Sequence, residues 1–203
     1  MLKPPLILTA TATAIAVALP LASASAAPEV PLQQRLLAPN EIAGYTPTSF
    51  KTLDLDGYAR AGGLAPKAKR KLASGGFVVS ALEQLRGPGR PIPAEVGESQ
   101  ASVVRFRTTD HATRFLRWIK RTYGSSSALP PGLHRGAFRV PGMPNAENVH
   151  YWTSGPDRID QYESLFTRGP YLYDVDAYTL DGALTAAVAA SGVAAYYKRL
   201  PRS

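Results

Sequence analysis

The sequence predicts an α+β domain: an antiparallel sheet of about five strands with helices packed on one face. Three observations lead there. Segments rich in β-branched and aromatic residues come as a pair and then a triplet, separated by helical segments. The strands of the triplet are joined by Gly-Pro turns, and a parallel crossover would need a dozen or more residues. Asp110–Tyr123 places Ala112, Phe115, Leu116, Ile119 and Tyr123 at the three- and four-residue steps of one helical face.

The chain opens as a secretory signal does. Lys3 is followed by an apolar stretch through Leu19, by Pro20, and by the small-residue tract Ala22–Ala27. Ala24-Ser25-Ala26 suits a signal peptidase, so residues 1–26 are expected to be removed on export. The apolar stretch carries Thr and Pro and falls short of the roughly 20 residues of a membrane span. A lipid anchor on a cleavage-site cysteine is excluded, because the 203 residues include none. No stable membrane anchor is expected after cleavage.

Residues 27–35 read as a flexible lead-in, and 36–203 as a single α+β domain. Asn40 and Gly44 bound a short turn, and Tyr45–Phe50 is extended. Residues 51–63 show no clear period. Ala65–Ser74 can form a helix with Pro66 in its first turn, stopped by Gly75-Gly76. Phe77–Leu85 and Ala101–Arg107 read as strands, separated by a loop rich in Pro and Gly. The helix at Asp110–Tyr123 takes Thr109 or Asp110 as its cap and ends at Gly124. Asn148–Thr153, Ile159–Thr167 and Tyr171–Thr179 follow as strands, turned at Gly155-Pro156 and Gly169-Pro170. Asp181 begins an Ala-rich final helix that runs to Arg199.

Composition removes several kinds of chemistry. Without cysteine there is no disulfide scaffold, thiolate metal site or thiol nucleophile. There is no Gly-x-Ser-x-Gly elbow, phosphate loop or dinucleotide fingerprint. His111, His134 and His150 lack the spacing of a metal site. No catalytic residue, metal or cofactor is assigned.

Three features remain. Asp174-Val175-Asp176 would set two carboxylates on one side of a strand, beside Leu172 and Tyr178. Such a pair can hold a cation or do acid–base work, although carboxylates on a sheet more often form ordinary ion pairs. Arg114, Arg117 and Arg121 lie within about 60° of one another on the helix, opposite its apolar side, with Trp118 on the flank. With a formal charge of +8, this face could concentrate an anionic polymer. Solvated helix faces are commonly charged as well. Tyr and Trp gather after residue 150, as a sheet interior or an interface would require.

Leu36–Tyr45, Val140-Pro141-Gly142-Met143-Pro144-Asn145-Ala146 and Gly169–Val175, taken with the signal peptide, resemble exported proteins of uncharacterised function from high-GC Gram-positive bacteria. The resemblance implies an envelope or extracellular setting and carries no catalytic residue. The expectation is a secreted, non-enzymatic protein that engages an anionic envelope polymer or a protein partner, not nucleic acid. Arg114, Arg117, Trp118 and Arg121 are its expected ligand-binding residues. The alternative is a small secreted hydrolase using Asp174, Asp176 or a histidine brought near by folding.

Overall fold

The computed structural model describes residues 29–201 apart from 91, 93–97, 124–128, 156 and 181. The signal peptide, Gly124 as a helix stop, Pro156 as a turn residue and Asp181 as a helix start lie outside the described residues.

The sheet has seven strands: β1 (Thr46–Leu53), β2 (Phe77–Arg86), β3 (Gln100–Phe106), β4 (Leu133–Ala137), β5 (Glu147–Thr153), β6 (Ile159–Arg168) and β7 (Tyr171–Leu180). Their spatial order is β1-β2-β3-β7-β6-β5-β4, every neighbouring pair antiparallel. The expectation of about five strands falls short by the two edges. β1 continues the extended Tyr45–Phe50 segment to Leu53. β4, Leu-His-Arg-Gly-Ala, has no β-branched residue and is a strand because β5 supplies its hydrogen bonds.

Four helices accompany the sheet: α1 (Leu55–Ala61), α2 (Pro66–Ser74), α3 (Thr109–Tyr123) and α4 (Ala186–Arg199). Local chemistry sets their ends. The Gly57 N–H donates to Asp54 Oδ1 at 2.7 Å, capping the helix that lay hidden in residues 51–63. Thr108, rather than Thr109 or Asp110, accepts from the His111 N–H at 3.2 Å. Thr185 caps α4 through the Val188 N–H at 3.4 Å, so that helix starts later than expected.

The helices cover both faces, not one. Tyr173, Val175, Tyr162 and Phe166 meet Val193, Tyr196 and the segment Leu36–Tyr45 in the larger core. On the opposite face Val104, Phe106, Leu165 and Leu172 pack with Leu72 of α2 and Ala112, Phe115 and Leu116 of α3. Each interior strand has apolar residues on both sides over part of its length, so both faces need cover. The sequence shows that pattern but not which helix goes to which side.

The lead-in is docked. Leu32–Arg35 forms one 3-10 turn, and Arg35 is buried. Its guanidinium carbon lies 3.8 Å from the centre of the Tyr171 ring, and Nη1 donates to Tyr173 Oη at 3.2 Å. Stacking and a buried hydrogen bond give this segment an anchor that its composition did not announce. Gly192 allows the N-terminal segment to lie against α4: a Cβ there would meet Glu41 O at 2.6 Å.

Candidate ligand pocket on the sheet

Strand alternation builds the candidate site. On β7, Leu172, Asp174 and Asp176 share the face that carries the smaller core, as the sequence predicted for the two carboxylates. Register decides their neighbours. Asp174 lies between Ser102 of β3 and Leu165 of β6, and Asp176 between Gln100 and Glu163. Directly opposite side chains on paired strands have Cβ atoms about 5 Å apart. Three carboxylates, Glu163, Asp174 and Asp176, are therefore collected on one patch of sheet. Where α2 and α3 cover the row at Leu172 it is dry, and the rows at Asp174 and Asp176 open into a pocket.

That pocket has a volume of about 240 Å³ and lies between α1 and the sheet, with Tyr58 and Leu64 on the helix side. Gln161 Nε2 donates to Asp176 Oδ1 at 2.9 Å, and Gln100 Nε2 to its Oδ2 at 3.5 Å. Tyr58 Oη and Ser102 Oγ are 3.4 Å apart. Asp174 Oδ1 is sealed from solvent and has no hydrogen-bond partner. A second, more apolar crevice of about 160 Å³ shares Tyr58, Leu64, Glu163 and Asp174 with the first, and continues between α2 and α3 along Phe115, Trp118 and Tyr123.

Electrostatics follow from this enclosure. Burial raises the Glu163 carboxyl to about 8, helped by the negative charges of Asp176 and Glu147 and opposed by Arg135. Asp174 is also raised, by burial first and then by Asp176 and Glu163. Burial raises Asp176, against the two glutamine hydrogen bonds that favour its charged form. Arg135 is engaged with Glu147 at 3.3 Å, and its guanidinium carbon lies 6.0 Å from the centre of the Tyr151 ring. All three acids are thus shifted toward their protonated forms, each by its own burial first, and Glu163 to about 8.

The expected ligand-binding residues separate. Arg114, Arg117 and Arg121 are exposed on the outer side of α3, and Arg114 pairs with Asp110 at 2.7 Å. Trp118 is half-buried at the border of that side, stacked on Phe115 with ring centres 5.5 Å apart, and lines the apolar crevice. It belongs with the carboxylates rather than with the arginines. Of the histidines, His134 and His150 converge on Trp152, with ring centres 5.4 and 4.8 Å away, and His111 does not join them. His150 Nε2 lies 2.6 Å from Asp160, which Arg158 also engages. Among the described residues no three His, Asp or Glu side chains are grouped to hold a metal ion. Tyr162, Tyr171, Tyr173 and Tyr196 are buried, so sheet and helix packing accounts for much of the C-terminal tyrosine enrichment.

Glu163 was not singled out in the sequence. Its alternation within β6 was readable, but its position opposite Asp176 depends on a register that only the fold supplies.

No family model matches the sequence, and no curated protein matches it. The fold does have a solved counterpart. The chain superposes on the extracellular domain of PknH from Mycobacterium tuberculosis with a TM-score of 0.56 and 16% identity, over 82% of this chain and 93% of that one. The likeness is one of fold. Among the described residues no helix is long and apolar enough to cross a membrane.

Proposed function

We propose that the protein is an exported, extracytoplasmic binding domain that takes a small ligand in the pocket between α1 and the sheet. The observation that carries this reading is Asp174 Oδ1, buried without a hydrogen-bond partner beside two further carboxylates. Buried polar atoms are satisfied in the great majority of cases, so an exception calls for an explanation, and among the described residues such an atom lines this pocket only at Asp174. A purely structural sheet position would be served better by an apolar residue, since collected buried acids cost stability. A leader-like start and a fold shared with an extracellular domain support export.

The test is a thermal-shift screen of small amines, sugars and carboxylates against the wild-type protein, D174N, and the triple reversal R114E/R117E/R121E. A ligand that stabilises the wild type and the triple reversal, but not D174N, supports the pocket. Stabilisation that survives D174N and disappears in the triple reversal would move the binding function to the basic face of α3.

The same trio supports a second reading, a small hydrolase. Asp176 accepts two hydrogen bonds that favour its charged form, whereas Asp174 Oδ1 accepts none. Unequal environments of this kind separate a general base from a general acid. Turnover of chromogenic esters or glycosides, lost in both D176N and D174N, would establish it.

A further inference from the structure

We propose that the ligand is a small organic ammonium ion with an apolar body, its charged head among Glu163, Asp174 and Asp176 and its body in the crevice beside Trp118. The inference rests on the pocket reading above and names the ligand's chemistry.

Charge sign comes first. Facing the pocket are Glu163 from β6, Asp174 and Asp176 from β7, and Tyr58 from α1, with Tyr178 of β7, Tyr151 and Glu147 of β5, Arg135 of β4 and Lys120 of α3 beyond them. Arg135 and Lys120 both pair with Glu147, and the trio has no ion pair of its own to either, so acidic groups outnumber basic ones around the site, among the described residues, within a strongly basic chain. An anionic ligand would bring further negative charge to acids already crowded together. A neutral one could donate to Asp174 Oδ1 but would not offset the ionisation of the trio. An ammonium head supplies three donors for that oxygen and its neighbours and a positive charge that favours their ionised forms.

A bare metal ion fits less well. Asp174 and Asp176 are two residues apart on one strand and Glu163 is across from only the second, so the acids are spread along the sheet rather than gathered around a point. No metal-holding group of three occurs among the described residues. The apolar crevice then has a purpose, because it adjoins Asp174 and Glu163 and can cover the part of the ligand behind its charge. Trp118 and Tyr58 both line that crevice, and aromatic rings attract the carbons next to an ammonium.

The experiment is isothermal titration of the full chain with 2-phenylethylammonium at pH 7, in two buffers of different ionisation enthalpy. Three comparison probes share its parts: 2-phenylethanol has the body without charge, methylammonium the charge without body, and phenylacetate the opposite charge. The expected result is saturable binding of 2-phenylethylammonium, at least tenfold tighter than each comparison probe. Net proton release should accompany it as the acids ionise around the cation. D174N and W118A should each weaken binding at least tenfold, with folding checked by circular dichroism and proton release by the wild type serving as a readout that needs no variant. Equal or tighter binding of 2-phenylethanol or phenylacetate, lost in D174N, would overturn the cation and keep the pocket. No binding by any of the four probes would overturn the ammonium proposal. If the broader screen also gives no D174N-sensitive ligand, the pocket reading falls with it.

Discussion

Along β7 the same backbone serves two unlike environments. Tyr173 and Val175 enter a core closed by α4 and the N-terminal segment, and Tyr173 has no exposed surface. Asp174 and Asp176, one residue away in each case, enter a pocket that α2 and α3 leave uncovered. Both sets inherit the same hydrogen bonds to β3 and β6. What differs is the work of the side chains: one face supplies folding free energy, and the other holds groups whose charging opposes it. A strand anchored on its dry side can tolerate strain on its wet side, which is how sites that lower stability persist in stable domains.

The largest expected effect lies on the dry side. Tyr196 is fully buried and donates to Arg35 O at 2.5 Å, and Tyr173 stacks on Phe166 with ring centres 5.1 Å apart. Tyr196→Ala or Tyr173→Ala should cost about 3–5 kcal/mol in denaturant unfolding. A loss below about 1 kcal/mol would remove the contrast between the faces.

The pH dependence should be next in size, with a fixed sign. Glu163 is raised to about 8, Asp174 and Asp176 are raised, and Glu83 on the other face is raised to about 7, chiefly by burial. The folded state therefore binds more protons than the unfolded one between the ordinary carboxylate range and about pH 8. Stability should fall as pH rises through that window, by about 2 kcal/mol between pH 5 and 8.5. E163Q/D174N should flatten most of this slope, and E83Q a separate part of it. A wild-type slope of zero or of opposite sign would contradict the upward shifts of these acids.

Smaller still, Asp174→Asn should leave stability unchanged or raise it by about 1 kcal/mol at pH 8, since it removes a buried acid whose charging opposes folding and which has no ion-pair partner among the described residues. Marked destabilisation would mean that Asp174 is structural. Smallest of all, R114E/R117E/R121E should change unfolding free energy by about 0.5 kcal/mol or less, because these side chains are solvated and the Arg114–Asp110 pair is exposed. Retention on an anionic polymer that collapses with added salt and is lost in this triple reversal would give the basic face a binding role of its own.

The sequence made the interior strands legible because their β-branched and aromatic residues are bounded by turn signals such as Gly169-Pro170 and because strand side chains alternate between faces, and α3 because its apolar period is regular. It made Asp174 and Asp176 legible as a same-face pair through that alternation alone. The remainder was hidden for specific reasons. β4 depends on its neighbour's hydrogen bonds rather than on its own propensity. Glu163 enters the site only through register. Trp118 lies at the border between the two sides of α3, and only the packing of Phe115 assigns it to the crevice. Arg35 was hidden for the opposite reason: a charged residue in a Pro-containing lead gives no sign that two tyrosines await it.

The docking of that N-terminal segment also fixes how the molecule would present itself when attached to something. Glu29 pairs with Arg105 at 3.0 Å and bonds to Tyr171, while Arg168 Nε donates to Pro201 O at 3.1 Å. The first and last described residues are thus held on the tyrosine side of the sheet, with α1 and the acidic pocket on the reverse. A tag, surface linkage or fused domain joined at either end would stand behind the sheet, and the mouth of the pocket would face outward.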